Sequence, residues 1–353
     1  MRKYEKSIVE KIRRNRIKAE VYNTEIEIMP IPDCADPGVI DSRVLTYAAQ
    51  FLSDESDEIP KSLRITEEKI DVKKEKISIG ERTVQVYIYT PVNQYQKGER
   101  SVCIFCHGGS WVSGSSKVVE NAMLLLAERA DCIVFNVDYD LAPEYQFPIA
   151  IEEVYGIVKY VHKYAEQYGI NPNKIAIGGD SAGGNLAAAV ALKDRDEQTG
   201  LLKLQLLVYP VVTAISTGIR GFEWKLDDYE IALEQRTILE SGLILGRPME
   251  NGKEVLQQAL MQYVKTKDDF LNPYVSPMLA ESFQGVCPAL IATAEFDGLR
   301  LQGEYYGKLL REDNCKSRII RYKGMGHAFL DNLGYYPQTE ALVEEMADAV
   351  KNM

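Results

Sequence analysis

Hydrophobic and polar positions change rhythm twice along the chain. Over residues 1–70 apolar positions are sparse: Ile8, Ile12, Ile17 and Val21 recur at loosely helical spacing, residues 39–51 suggest another helix, and Asp54-Glu55-Ser56-Asp57-Glu58 reads as an acidic linker or exposed turn. This predicts a helical cap segment at the N-terminus. From Lys76 the period falls to two, with Ile77 and Ile79, then Gly80, then Val84, Val86 and Ile88, which is the pattern of a hairpin. The chain then alternates between strand and helix patterns. Strands are expected over 102–106, 132–139, 174–178, 204–209, 289–294 and 318–322, and helices over 118–129, 148–168, 182–193, 301–311 and 337–353. A hairpin followed by six such strands predicts an α/β chain with an eight-stranded, doubly wound, mostly parallel sheet and an antiparallel edge. The alternation stops over 213–271, a polar, helix-tending stretch with Trp224 and Tyr263 that is expected to be a cap insertion dividing the core into 71–212 and 272–353. Active residues in such a sheet belong on loops at the carboxyl ends of strands.

One strand-to-helix junction stands out chemically. The apolar run Ile175-Ala176-Ile177 meets Gly178-Gly179-Asp180-Ser181-Ala182-Gly183-Gly184 and turns at once into an alanine-rich helix pattern. Glycines two before and two after Ser181 suit a nucleophile elbow, where the serine is held in a strained conformation and neighbouring side chains would collide. Alone, the spacing could equally be a glycine-rich nucleotide-binding turn.

A serine hydroxyl needs a base with a pKa near 7. Of three histidines, His327 is best placed, in the glycine-rich loop Lys323-Gly324-Met325-Gly326-His327 after the last expected strand. Its orienting partner is expected to be Asp297, at the carboxyl end of the preceding strand, with Glu295 as the alternative and Asp331 disfavoured because it follows the histidine. His107-Gly108-Gly109-Ser110-Trp111 follows the first inner strand, and the unobstructed N–H groups of Gly108 and Gly109 could join that of Ala182 in an oxyanion hole. His107 then serves to orient the loop, Ser110, Trp111 and Asp180 are candidate pocket residues, and His162 lies on a helix away from all of these.

Composition narrows the class. The 353 residues carry 52 acidic and 41 basic side chains, a net charge of −11 that argues against nucleic acid or an anionic membrane as main partner. There is no apolar leader and no run long enough to span a membrane, so the expected location is the cytoplasm. The six cysteines read as reduced core thiols. Cys103-Ile104-Phe105-Cys106-His107 spells a haem-attachment signature, but residues three apart on a strand face opposite ways. No cofactor or metal is implied.

Taken in order, these motifs resemble those of the hormone-sensitive-lipase-like, bacterial family IV esterases of the α/β-hydrolase fold, over about residues 75–353. The resemblance rests on His107-Gly108-Gly109, on Gly179-Asp180-Ser181-Ala182-Gly183-Gly184, on Asp297-Gly298-Leu299-Arg300 and on Gly326-His327-Ala328-Phe329. Tyr139-Asp140-Leu141-Ala142-Pro143-Glu144 resembles a further, non-catalytic signature. Three positions depart from the family pattern: Ser110 replaces a third glycine, Asp140 an arginine, and Gly298 a common proline. The resemblance implies a serine carboxylesterase acting on small, short-acyl esters from acetyl to butyryl, with a helical cap and room for a homodimer. Two other readings use the same fold: a deacetylase or amidase on the same triad, and a non-catalytic small-molecule receptor, which would lack the base that His327 supplies.

Overall fold

The computed structural model describes residues 2–31, 62–92, 99–215, 218–219, 221–231, 243 and 255–353. The helix expected over 39–51, the acidic run at 54–58 and Cys34 lie outside the described residues. Strands are β1 (Ile17–Val21), β2 (Thr24–Met29), β3 (Ile70–Ile79), β4 (Arg82–Pro91), β5 (Arg100–Cys106), β6 (Ile133–Asp138), β7 (Ile170–Asp180), β8 (Leu202–Val208), β9 (Ala289–Phe296) and β10 (Ser317–Gly326). Helices are α1 (Lys6–Arg14), α2 (Glu120–Ala130), α3 (Ile149–Lys163), α4 (Ala182–Asp196), α5 (Val255–Tyr263), α6 (Arg300–Glu312) and α7 (Pro337–Lys351).

The strands form one ten-stranded sheet in the order β1-β2-β10-β9-β8-β7-β5-β6-β4-β3. It is parallel from β2 to β6 and closes at each end with an antiparallel hairpin. From β5 the chain crosses to β6 on one side, then returns to place β7 on the other. The order therefore reverses where the ends of β5 and β7 lie together, the place where an open α/β sheet offers a crevice.

The inner strands are apolar on both faces because helices cover both. Along β5, Val102, Ile104 and Cys106 join the core beneath α3 and α4, whereas Cys103 and Phe105 join the core beneath α2 and α7. The two cysteines of the haem-like signature thus lie on opposite faces, as strand alternation requires.

Two expectations are corrected at the N-terminus. Ile17 and Val21, read as part of a loosely helical pattern, lie instead on β1 of the hairpin β1–β2, so the sheet has ten strands rather than eight. Ile17, Ala19 and Val21 alternate with Lys18 and Glu20, and Tyr22 and Asn23 both take positive φ (53° and 57°), the two-residue turn that matches strand twist. The helical part, α1, is a core element: Val9 and Ile12 are buried in the cluster that holds Leu342, Val343 and Met346 of α7. Ion pairs fasten it there, with Arg13 Nε 2.7 Å and Arg16 Nη2 3.2 Å from the buried Glu345. The expected single helix over 148–168 breaks at Tyr164 into α3 and one further turn, Ala165–Tyr168. No helix among the described residues is long and apolar enough to cross a membrane.

Candidate active site

Ser181 ends the loop-free passage from β7 to α4 at φ 54°, ψ −116°, a conformation an L-residue adopts only under constraint. The constraint is visible in its neighbours. Ser181 N–H donates to the Val208 carbonyl at 2.9 Å, and its own carbonyl accepts from Asn185 and Val211. A Cβ on Gly179 would strike the Gly183 carbonyl, and one on Gly183 would strike the Cys106 carbonyl. A methyl group at either place would force the elbow backbone to shift, so glycine is strongly favoured at both.

His327 follows β10 and Asp297 follows β9, adjacent parallel strands, so both side chains arrive at the same sheet edge as Ser181. Ser181 Oγ lies 2.9 Å from His327 Nε2, and His327 Nδ1 lies 2.8 Å from Asp297 Oδ2. The other oxygen of Asp297, which is fully buried, accepts the Leu299 N–H at 2.9 Å. Burial pulls the His327 pKa down, but the charge and hydrogen bond of Asp297, aided by Asp180, outweigh it and leave the imidazole above its ordinary value. Glu295 turns away and accepts the Gly324 N–H at 2.8 Å, fastening a bulge in β10. Asp331, in the turn Phe329–Asn332, has a buried Oδ1 with no hydrogen-bond partner among the described residues, and burial pushes its carboxyl well up.

The oxyanion loop needs a correction. The Gly108 N–H is already committed, donating to Asp180 Oδ1 at 2.8 Å, so it cannot serve a developing negative charge. The N–H groups of Gly109, Ser110 and Ala182, close by, make no hydrogen bond among the described residues. The loop bends through three successive positive φ angles, 122° at Gly109, 55° at Ser110 and 63° at Trp111. A serine at the family's third-glycine position thus keeps the left-handed backbone at a cost of about 1–2 kcal/mol.

Asp180 is likewise not a pocket residue. It is buried, with Oδ2 3.5 Å from the Tyr209 hydroxyl, and it ties the oxyanion loop to the elbow. Burial pushes its carboxyl up to about 6, against the pull of the Gly108 N–H and His327. His107 supports the same loop: its ring stacks on Tyr139 with centroids 4.5 Å apart, and the Tyr139 hydroxyl donates to the His107 carbonyl at 2.8 Å. Burial lowers the His107 pKa, which favours the neutral ring.

Aromatic side chains close the surroundings. Trp111 is buried and stacks on Tyr263 of α5 at 4.9 Å, and Ser110 beside it is half-buried. Trp224 is also buried, its indole N–H donating to the Gly298 carbonyl at 3.0 Å, and the Tyr229 hydroxyl donates to the Asp297 carbonyl at 2.8 Å. These two clamps on the acid turn have no sequence signature. Asp140, where the family has arginine, is met by an arginine from elsewhere: Arg82 of β4 lies 2.8 Å from its carboxylate.

An elbow serine, an imidazole within hydrogen-bond reach, a buried carboxylate behind it and unengaged N–H groups alongside define a hydrolase of the acyl-transfer kind. The chain matches the family described as alpha/beta hydrolase fold over residues 103–331 and belongs to it, within the hormone-sensitive-lipase-like esterases. It is similar to an arylesterase of Saccharolobus solfataricus, 32% identical over 277 residues, covering 78% of this chain and 81% of that one. It resembles the structure of an esterase from Pyrobaculum calidifontis with a TM-score of 0.67 at 29% identity, covering 88% of this chain and 90% of that one. Arylacetamide deacetylase of Bos taurus is 40% identical over 153 residues, 41% of this chain and 36% of that one. The protein is a carboxylic ester hydrolase.

Proposed function

We propose that the protein is a serine carboxylesterase that hydrolyses small esters with acyl groups from acetyl to butyryl, through an acyl-enzyme on Ser181. The observation that carries this is the unbroken line of hydrogen bonds from Asp297 through His327 to Ser181, 2.8 and 2.9 Å long. Ser181 Oγ attacks the ester carbonyl as its proton passes to His327 Nε2, and Asp297 holds the ring and stabilises the resulting cation. The N–H groups of Gly109, Ser110 and Ala182 receive the oxyanion, each donor lowering the barrier by roughly 3 kcal/mol. When the tetrahedral intermediate collapses, His327 returns the proton to the departing alcohol. A water molecule then repeats the sequence on the acyl-enzyme and frees the acid.

Short acyl groups suit a site whose oxyanion loop is backed by tight aromatic packing, Trp111 stacking on Tyr263 at 4.9 Å. The same stack, with Trp224 and Tyr229 on the acid turn, supports residues 213–271 as a cap over the site. Hydrolysis of p-nitrophenyl acetate, butyrate and octanoate tests the reading. Turnover should fall steeply at octanoate, and a preference for octanoate would refute the short-acyl assignment. The deacetylase relative favours adding an acetanilide arm. Faster cleavage of the anilide than of the ester would make amides the substrates.

A further inference from the structure

The turn that carries Asp297 is built without the residue that would fix it from within. The Arg300 N–H donates to the Asp297 carbonyl at 3.0 Å, which closes a turn over 297–300. Leu299, at its third position, has φ −87° and ψ −6°, the values of a type I turn. Proline suits the second position of such a turn, because its ring holds φ close to the required value of about −60°. Gly298 stands there instead. It has no positive φ to demand glycine, and its N–H makes no hydrogen bond among the described residues. Glycine at that place leaves the turn free to sample other conformations, and Asp297 moves with it.

That freedom bears directly on rate. Asp297 Oδ2 has to stay 2.8 Å from His327 Nδ1, and a misplacement of about 1 Å in such a site costs on the order of a hundredfold. The missing restraint comes from another part of the chain. The Asp297 carbonyl accepts the Tyr229 hydroxyl at 2.8 Å, and the Gly298 carbonyl accepts the Trp224 indole N–H at 3.0 Å. Arg300 returns the grip: its guanidinium carbon lies 4.3 Å from the centre of the Tyr229 ring, and Nη2 donates to the Asp228 carbonyl at 2.5 Å. Trp224 and Tyr229 flank the short helical turn Leu226–Asp228, with their rings 5.6 Å apart. All three side chains are buried, so these bonds form where water competes poorly for them.

On the reading that Ser181, His327 and Asp297 form the triad, we propose that Trp224 and Tyr229 are positioning residues for it: they hold the Asp297 and Gly298 carbonyls and so do for a glycine turn what proline would do inside it. Neither touches the reacting atoms. Without the two donors Asp297 is held less firmly, and the imidazolium that forms at His327 is supported less well.

Steady-state kinetics on p-nitrophenyl acetate test this. Trp224→Phe/Tyr229→Phe keeps two aromatic rings and removes both donors. Its kcat should fall at least about tenfold with KM within about twofold, because ground-state binding is untouched. The acid limb of kcat/KM should move to lower pH, since Asp297 is what raises His327. Adding Gly298→Pro to that double variant should recover most of the lost kcat, while in the parent chain, where the turn is already held, the same substitution raises kcat by a far smaller factor. Circular dichroism shows which variants are folded. If the double variant is not, Tyr229→Phe with and without Gly298→Pro gives the same comparison, at about threefold. An unchanged kcat and pH profile, or a loss that Gly298→Pro does not recover, would overturn the proposal. Ser181→Ala assayed alongside separates the two readings: turnover by that variant refutes the triad itself, whereas its inactivity together with unaffected Trp224 and Tyr229 variants refutes only their positioning role.

Discussion

Ser181 owes its place to what surrounds it, and each neighbour can be removed singly. Ser181→Ala should lower hydrolysis of p-nitrophenyl acetate by roughly four to six orders of magnitude while circular dichroism is unchanged, and undiminished turnover would exclude it as nucleophile. His327 acts as a base only when neutral. With its pKa held above the ordinary 6.5, kcat/KM should rise with pH and reach half its plateau above that value. A midpoint at or below it would contradict the influence of Asp297 and Asp180. Those contributions can be separated: Asp180→Asn keeps an oxygen for the Gly108 N–H but removes a negative charge near the imidazole. The acid limb should therefore move to lower pH with kcat within about tenfold, while Asp180→Ala, which frees the oxyanion loop, should lose about a hundredfold. Equal kcat in both variants would show that the Gly108 tether is dispensable. At this scale the triad was legible from glycine spacing and chain order. The commitment of Gly108 to Asp180 was not, because sequence records that an N–H is unobstructed but not what it faces.

Among the elements, the elbow and the N-terminal hairpin differ in how they announce themselves. The elbow is local: Gly183→Ala forces a methyl group into the Cys106 carbonyl, and denaturant melts should register a loss of about 2–4 kcal/mol or no folded protein. A fully stable variant would mean that the strand-to-helix packing yields more easily than its distances indicate. The hairpin was also written in the sequence, since Ile17, Ala19, Val21 alternate and Ile26, Ile28 follow. It was masked by the spacing Ile8, Ile12, Ile17, Val21, which also satisfies a loose helical period. What decides between them is tertiary: β2 gains a parallel partner in Tyr322, Arg321 and Ile320 of β10, which no short-range pattern reveals. The ion pairs that hold α1 converge on Glu345, which also meets Arg318 at 2.6 Å. Glu345→Gln leaves three guanidinium groups short of a partner, and should destabilise by about 1–3 kcal/mol, discounted for their partial exposure. A melt indistinguishable from the parent would show that apolar contacts alone dock α1.

In the whole molecule, one topological reversal brings the ends of β5 and β7 together, and everything chemical collects there. The alternation of strand and helix patterns was enough to foresee a doubly wound sheet and the edge at which a site would sit. The aromatic clamps Trp224 and Tyr229 were not foreseeable, because they act from an irregular segment on backbone carbonyls at Gly298 and Asp297.

The central claim is that Ser181 carries the acyl group. Rapid quenching of the enzyme with p-nitrophenyl butyrate, followed by intact-mass and peptide mass spectrometry, reads it directly. One butyryl group per chain on the peptide that contains Ser181, formed with the burst of p-nitrophenol and absent from Ser181→Ala, is the predicted result; a butyryl group on any other residue, or full turnover by Ser181→Ala, would contradict it.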